Sequence, residues 1–114
     1  MNVQVLSREE CLARLRPGGV GRVATTHHAL PAIIPVRYTM TNDELLFRAA
    51  GDQMLTQGCD GKVIAFEIDD ATADGRSGWS VMVVGTAHLL DGCVALEIGT
   101  VSGRAIRGPL SMPA

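Results

Sequence analysis

The chain is 114 residues long, the length of one domain, and we expect residues 1–114 to fold as a single domain around one core. Its 10 basic and 12 acidic side chains give a formal charge of −2, so a positive field that attracts a nucleic-acid backbone is not expected. Hydrophobic residues make up 46% of the chain, which is enough for a packed core. The chain has no apolar run of roughly 18 residues and no export signal, so we expect a cytoplasmic protein without a membrane partner.

The three cysteines are far apart and odd in number, which predicts reduced, partly buried thiols rather than a disulfide framework. They are Cys11, Cys59 and Cys93.

The first element is predicted to be a short helix. Ser7 and Glu10 have the spacing of a capping box, in which each side chain accepts a hydrogen bond from the other residue's amide. Cys11 and Leu15 then recur on one helical face, and Pro17-Gly18-Gly19 ends the helix. We expect this helix to close one end of a barrel.

Beyond the helix the hydrophobic period changes to two, which predicts strands. Pro35 lacks an amide donor and should lie at a ladder edge or bulge, where unpaired backbone is available to a ligand. Residues 51–61 are expected to form a short helix or loop. Six runs have strand character: 20–26, 30–40, 44–49, 62–69, 79–90 and 93–100. Six short, mostly sequential strands predict a small barrel that leaves apolar surface for a dimer.

Several local motifs suggest chemistry that their context does not support. Gly19 to Ala24 matches the letters of a dinucleotide fingerprint, but a helix precedes it and a strand follows, which is the reverse of the required order. His27 and His28 are adjacent on a strand and have no metal-ligand spacing, so no metal site is expected. Glu67 lies near other carboxylates without a nucleophile or base, so the catalytic residues stay open.

An ordered set of short motifs runs from about Leu6 to Leu90. It comprises Gly21-Arg22-Val23-Ala24-Thr25-Thr26, Pro31 with Ile34-Pro35-Val36, Leu46-Phe47-Arg48, Ala65-Phe66-Glu67-Ile68-Asp69-Asp70, and Gly78-Trp79-Ser80-Val81. In this order the motifs resemble the pyridoxamine 5′-phosphate oxidase-like split-barrel family, specifically its small actinobacterial flavin- and deazaflavin-binding members. Val101-Ser102-Gly103-Arg104 is similar to the family's closing strand.

The resemblance implies a mainly β fold, a six-stranded antiparallel split barrel with one or two short helices. It also implies a homodimer with clefts at the interface for FMN or, alternatively, a deazaflavin. Cofactor contacts are implied for Pro35, Val36, Arg37 and Tyr38, for Phe47, Arg48 and Ala49, and for Trp79 and Ser80 from the partner subunit.

Arg37 and Arg48 carry guanidinium groups suited to a phosphate. The family's phosphate-binding hydroxyl and lysine align with Gln53 and Met54. Either Arg48 or Arg37 then binds the phosphate, or the site is weak and does not retain FMN through purification.

The function implied by the resemblance is an oxidoreductase that passes a hydride to a small, planar, conjugated acceptor, with chemistry supplied by the cofactor. Two alternatives remain open. One is a non-catalytic protein that binds or senses flavin, haem or another planar ligand. The other is a ligand-free dimeric interaction module, because one fold serves many functions.

Overall fold

The computed structural model describes residues 2–108, which form eight strands and two short helices. The helices are α1 (Arg8–Leu15) and α2 (Gln53–Cys59). The strands are β1 (Asn2–Val5), β2 (Gly19–His27), β3 (Leu30–Met40), β4 (Glu44–Arg48), β5 (Val63–Ala71), β6 (Gly78–Leu90), β7 (Cys93–Glu97) and β8 (Thr100–Arg107). Neither helix is long and apolar enough to cross a membrane.

Six of the strands form a closed antiparallel barrel, as predicted. The ring runs β6, β5, β2, β3, β4 and β7, and it closes where β7 pairs with the second half of β6. β8 lies outside the ring, paired with the first half of β6, and β1 pairs with β8. The mainly β barrel with two short helices is therefore confirmed.

Three details of the strand prediction are corrected. Residues 93–100 do not form one strand, because the chain leaves β7 after Glu97 and begins β8 at Thr100. Val101-Ser102-Gly103-Arg104 lies in β8 and does not close the barrel; β7 does. β1 was not predicted, because four exposed residues gain strand structure only by pairing with the distant β8.

The break between β7 and β8 has a steric origin at Gly85, where β6 changes partners. β6 pairs with β8 as far as Val84 and with β7 from Ala87 onward. A Cβ on Gly85 would lie 1.8 Å from the Glu97 carbonyl oxygen, and a Cβ on Gly99 would lie 2.6 Å from the Val84 oxygen. Both positions therefore require glycine for the backbones to approach.

Side chains that alternate inward along the strands fill the barrel. Val81, Val83 and Ala87 are fully buried along β6, which confirms the predicted alternation. The Tyr38 ring meets Phe66 edge-on, with ring centroids 4.9 Å apart, and Phe47 stacks on Phe66 at 6.4 Å. Because the interior is packed, a ligand site must lie on the outside of the barrel.

Helix α1 packs against β8 and β6, and its position over one end of the barrel stays a prediction. Its capping box is formed, with the Ser7 amide donating to Glu10 over 3.1 Å and the Glu10 amide donating to Ser7 over 3.2 Å. Cys11 and Leu15 face the core and are fully buried. The Tyr38 hydroxyl donates a 2.9 Å hydrogen bond to the Leu15 carbonyl, which ties the end of α1 to β3.

All three thiols are unpaired, and Cys11 and Cys59 are buried, which confirms the prediction of reduced, partly buried cysteines. Cys59 ends α2, whose N-cap Asp52 accepts a 3.1 Å hydrogen bond from the Leu55 amide.

We predict that Gly85→Ala destabilises the protein by about 1–3 kcal/mol or more, because the new methyl group overlaps the Glu97 carbonyl and forces the strands apart. Urea unfolding followed by circular dichroism measures the change. The control is His88→Ala, at an exposed position of the same strand, which should change stability by less than about 0.5 kcal/mol. Equal stability of the two variants would contradict the steric account.

Candidate functional site

A cleft of about 600 Å³ opens on the outside of the barrel. Strand register assembles it: Gly19 lies opposite Tyr38, Tyr38 opposite Phe47, and Arg48 opposite Cys93. Its walls come from the turn after α1 and from strands β2, β3, β4 and β7, and they comprise Pro17, Gly18, Gly19, Val20, Arg37, Tyr38, Thr39, Leu46, Phe47, Arg48 and Cys93.

Two guanidinium groups give the cleft its charge. Tyr38 and Phe47 point into the core, so strand alternation turns their neighbours Arg37 and Arg48 outward, where both are exposed. The ion pairs found among residues 2–108 use neither arginine. The lining contains no carboxylate, so the cleft is suited to an anionic group such as a phosphate.

The turn between α1 and β2 forms the opposite wall. Gly18 has φ of +73°, and a Cβ there would lie 3.0 Å from the Tyr38 carbonyl oxygen. Glycine therefore lets this turn approach β3 closely. The sequence predicted only that these glycines end the helix; their role as a wall depends on the register of β2 with β3.

One edge of β3 is open beside the cleft. β2 pairs with β3 along residues 30–38, but β4 pairs with it only from Tyr38 onward. The predicted edge position of Pro35 is thus confirmed.

The two-residue turn at His28-Ala29 makes His27 and Leu30 a hydrogen-bonded pair, and such pairs alternate along an antiparallel ladder.

That alternation decides which backbone groups the open edge offers. Residues 31, 33, 35 and 37 occupy non-hydrogen-bonded positions and turn their backbone groups away from β2. Pro31, Ile33 and Pro35 supply carbonyl oxygens, but Pro31 and Pro35 have no amide hydrogen. The amide donors on this edge are therefore those of Ile33 and Arg37.

The structure brings part of the predicted site together. Arg37, Tyr38, Phe47 and Arg48 line the cleft, and Pro35 lies on the open edge next to it. The Tyr38 and Phe47 rings belong to the core, so these residues offer the cleft mainly backbone. Val36 and Ala49 are also buried and do not line the cleft.

The remaining predicted residues lie elsewhere on the chain. Gln53 and Met54 are exposed in the first turn of α2, outside the cleft lining, beside the N-cap carboxylate of Asp52. Trp79 and Ser80 lie near the start of β6, where the Arg14 guanidinium sits 4.5 Å from the centroid of the Trp79 ring. Within one chain, neither residue reaches the cleft.

Residues of the cleft that the sequence analysis missed include Thr39, Leu46 and Cys93. The positions of Thr39 and Leu46 were predictable from the sequence, because strand alternation turns them outward beside the inward-facing Tyr38 and Phe47. Cys93 reaches the cleft only through its cross-strand pairing with Arg48, which the sequence does not specify.

The cleft lining offers little for proton transfer. It contains no histidine, aspartate or glutamate. The Tyr38 hydroxyl is committed to Leu15, and burial raises the pKa of this phenol. Within residues 2–108, no group of three or more potential metal ligands is clustered. The cleft is thus built to bind, and reactivity would have to come from the bound molecule.

Comparison with known proteins gives a family match. The family model described as pyridoxamine 5′-phosphate oxidase matches residues 7–104. An uncharacterised protein of Mycobacterium tuberculosis, Rv0080, is 37% identical over an alignment of 87 residues that covers 72% of this chain. The match covers only 57% of that relative, so the relative is considerably longer.

Solved structures share the fold. An FAD binding protein from Mycobacterium smegmatis is 31% identical, with a TM-score of 0.82, and the match covers 93% of this chain and 100% of the other. An FAD-binding protein from Mesorhizobium loti is 22% identical, with a TM-score of 0.78 and coverage of 95% and 99%.

We predict that iodoacetamide labels Cys93 first, because its thiol lines the cleft, whereas Cys11 and Cys59 are fully buried. Burial also raises the pKa of the Cys59 thiol to about 11 and raises that of Cys11, so little reactive thiolate forms there. Mass spectrometry of timed digests identifies the labelled site. Cys93→Ser should remove the fast phase, and equally fast labelling of Cys11 or Cys59 would contradict the burial of these thiols.

Proposed function

This chain belongs to the pyridoxamine 5′-phosphate oxidase family, and from that premise we propose that its outer cleft binds a flavin nucleotide, with FMN as the first candidate. FAD and a deazaflavin are the alternatives that a titration separates. Proteins named for FAD binding share the fold, and one of them is 31% identical to this chain. The observation that carries the proposal is the pair of guanidinium groups beside the open edge of β3, which form no ion pair within residues 2–108.

The phosphate is assigned to Arg37 and Arg48. Both are exposed on the cleft side of their strands, and the cleft lining contains no competing carboxylate. A guanidinium can donate two parallel hydrogen bonds to phosphate oxygens, which makes it a suitable replacement for a missing lysine. The first turn of α2 is less suitable, because Gln53 and Met54 carry no charge and Asp52 adds a carboxylate.

The flat ring is assigned to the open edge of β3. The Pro35 carbonyl and the Arg37 amide are a neighbouring acceptor and donor on that edge. The pyrimidine ring of a flavin presents an N–H beside a carbonyl, which matches such a pair. Val20 and Leu46 provide apolar contact nearby in the cleft.

When bound, the flavin supplies hydride transfer to a small, planar, conjugated acceptor. The residues of this chain bind and orient the cofactor: the arginines hold its charged end, and the β3 backbone fixes the ring. The absence of histidine, aspartate and glutamate from the cleft lining is consistent with chemistry that belongs to the cofactor.

We also propose that the protein works as a cytoplasmic homodimer. Its three free thiols suit a reducing compartment. Large apolar side chains remain exposed on the barrel, among them Val20, Leu30, Ile33 and Val63. In such a dimer, Trp79 and Ser80 of the partner subunit would lie at the cleft, where the acceptor of the hydride binds.

Binding without turnover is the second candidate function. The absence of histidine, aspartate and glutamate from the cleft lining is equally compatible with a protein that stores or senses flavin or another planar ligand. Anaerobic stopped-flow reoxidation of the reduced, flavin-loaded protein by a quinone separates the two functions. A rate well above that of free reduced flavin supports the oxidoreductase, and a rate at or below it supports the binding protein.

We predict that Arg48→Ala weakens FMN binding by about 1.5–3 kcal/mol, roughly ten- to a hundredfold in Kd, because a charge-assisted hydrogen bond is lost. Quenching of flavin fluorescence measures the affinity, with FAD and the deazaflavin cofactor titrated in parallel. The matched control is Arg76→Ala, which removes an exposed arginine on a distant loop and should leave the affinity unchanged.

Bound FMN should also slow the alkylation of Cys93, which gives a readout independent of fluorescence. Unchanged affinity in Arg48→Ala would remove this arginine from the site. Failure of all three cofactors to bind would favour a ligand-free interaction module.

A further inference from the structure

A second pocket, of about 200 Å³, lies beside helix α1 at the ends of β5, β6 and β8. Strand register assembles it, because Trp79 on β6 lies opposite both Asp70 on β5 and Ala105 on β8. Arg14 reaches it from α1, and Arg107 reaches it from the end of β8. Within residues 2–108, this pocket and the cleft have no lining residue in common. We call it the helix-side pocket.

The helix-side pocket opens on the face of the sheet that α1 covers. A Cβ on Gly103 would lie 2.7 Å from the Cys11 sulfur, so this face of β8 packs against the helix. Val81 lies opposite Gly103 and is fully buried. Because side chains alternate along a strand, Trp79 shares this face with Val81, whereas Ser80 turns to the other one. A ligand of this pocket would therefore contact Trp79 and leave Ser80 free.

Helix α1 contributes a half-buried guanidinium group to the pocket. The Arg14 guanidinium lies 4.5 Å from the centroid of the Trp79 ring, within the range of a cation–π contact. This contact restricts the guanidinium, whose planar fork of N–H donors suits a carboxylate. None of the ion pairs formed by the described residues uses Arg14. Helix α1 and Trp79 thus orient a cation for which residues 2–108 supply no counter-ion.

The other charges of the pocket favour a ligand with a single negative charge. Arg107 is a second cation, and Asp70 is the carboxylate of the lining. Asp70 accepts a 2.9 Å hydrogen bond from the Ala71 amide and takes part in none of the ion pairs within residues 2–108, so it neutralises neither arginine. Two arginines and one carboxylate give the lining a formal charge of +1. A monoanion balances this charge, whereas a dianion would bring excess negative charge close to Asp70.

The size and the apolar part of the pocket limit the ligand further. Its volume of about 200 Å³ is below the roughly 300 Å³ at which sites for drug-sized ligands begin. Ala71, Ala105 and Ile106 line it beside the charged groups. A short hydrocarbon chain that ends in one carboxylate matches both the apolar and the charged part.

We propose that the helix-side pocket binds a small monocarboxylate, with Arg14 and Arg107 donating hydrogen bonds to the carboxylate. Ala71, Ala105 and Ile106 contact the hydrocarbon part. The ligand supplies the acceptor that Arg14 lacks, and a guanidinium and a carboxylate form strong, charge-assisted hydrogen bonds. The site is complete within one chain, so the proposal goes beyond flavin binding and depends on neither the flavin nor the dimer.

An NMR titration of the flavin-free full chain with sodium butyrate tests the proposal. Trp79 is the only tryptophan of the chain, so its indole N–H gives a single signal that reports on the pocket. We expect butyrate to shift this signal to saturation. Butyramide, which has a similar shape and no charge, and inorganic phosphate should both bind at least about tenfold more weakly. Equal binding of butyramide, or tighter binding of phosphate, would overturn the assignment to a monocarboxylate.

Two variants test the residues of the pocket. Arg14→Gln and Arg107→Gln should each weaken butyrate binding by about 10–100-fold, because each loses one charge-assisted hydrogen bond. Arg107 is exposed, so its variant does not depend on the packing of α1. The matched control is Arg8→Gln, which removes the same charge from an exposed position of α1 outside the lining and should keep the wild-type affinity.

Three results would overturn the helix-side pocket as a carboxylate site. They are no binding of butyrate to the wild type, wild-type affinity in both pocket variants, and an equal loss of affinity in Arg8→Gln, which would indicate an effect of net charge alone. Each of them would leave the flavin proposal standing, because the cleft is lined by other residues and is tested by the FMN titration of Arg48→Ala.

Discussion

The barrel closes through a backbone contact that only glycine permits. β6 is 13 residues long, and along one edge it pairs first with β8 and then with β7. The change of partner occurs at Gly85, where the Glu97 carbonyl occupies the space that a side chain would fill. Because β7 can end there and pair with both β6 and β4, the ring is complete and no long sheet edge is left around most of its circumference.

Closure also determines where a ligand can bind. The aromatic rings of Tyr38, Phe47 and Phe66 fill the interior, so inward positions are committed to packing. The same alternation that buries Tyr38 and Phe47 forces Arg37 and Arg48 outward. The charge of the cleft is therefore a direct result of core packing on the adjacent positions, and both arginines are held on paired strands of the barrel.

The features predicted correctly from the sequence are those with a local cause. The capping box at Ser7 and the strand alternation on β6 depend on residues close in the chain. The break at Ile98-Gly99 was missed because these residues continue an apparently uniform strand, and only the distant Gly85 explains the turn. Cys93 and the Gly18 wall were missed for the same reason, since cross-strand register puts them in the cleft.

The two prolines on the open edge of β3 have a consequence for colloidal behaviour. An unpaired strand edge is a template on which extended segments of other molecules can polymerise. On this edge Pro31 and Pro35 remove every second amide donor, so an incoming strand would find an incomplete ladder. The edge therefore resists fibril-like growth, yet the remaining Arg37 amide and its neighbouring carbonyls are sufficient for a molecule that needs only a few hydrogen bonds.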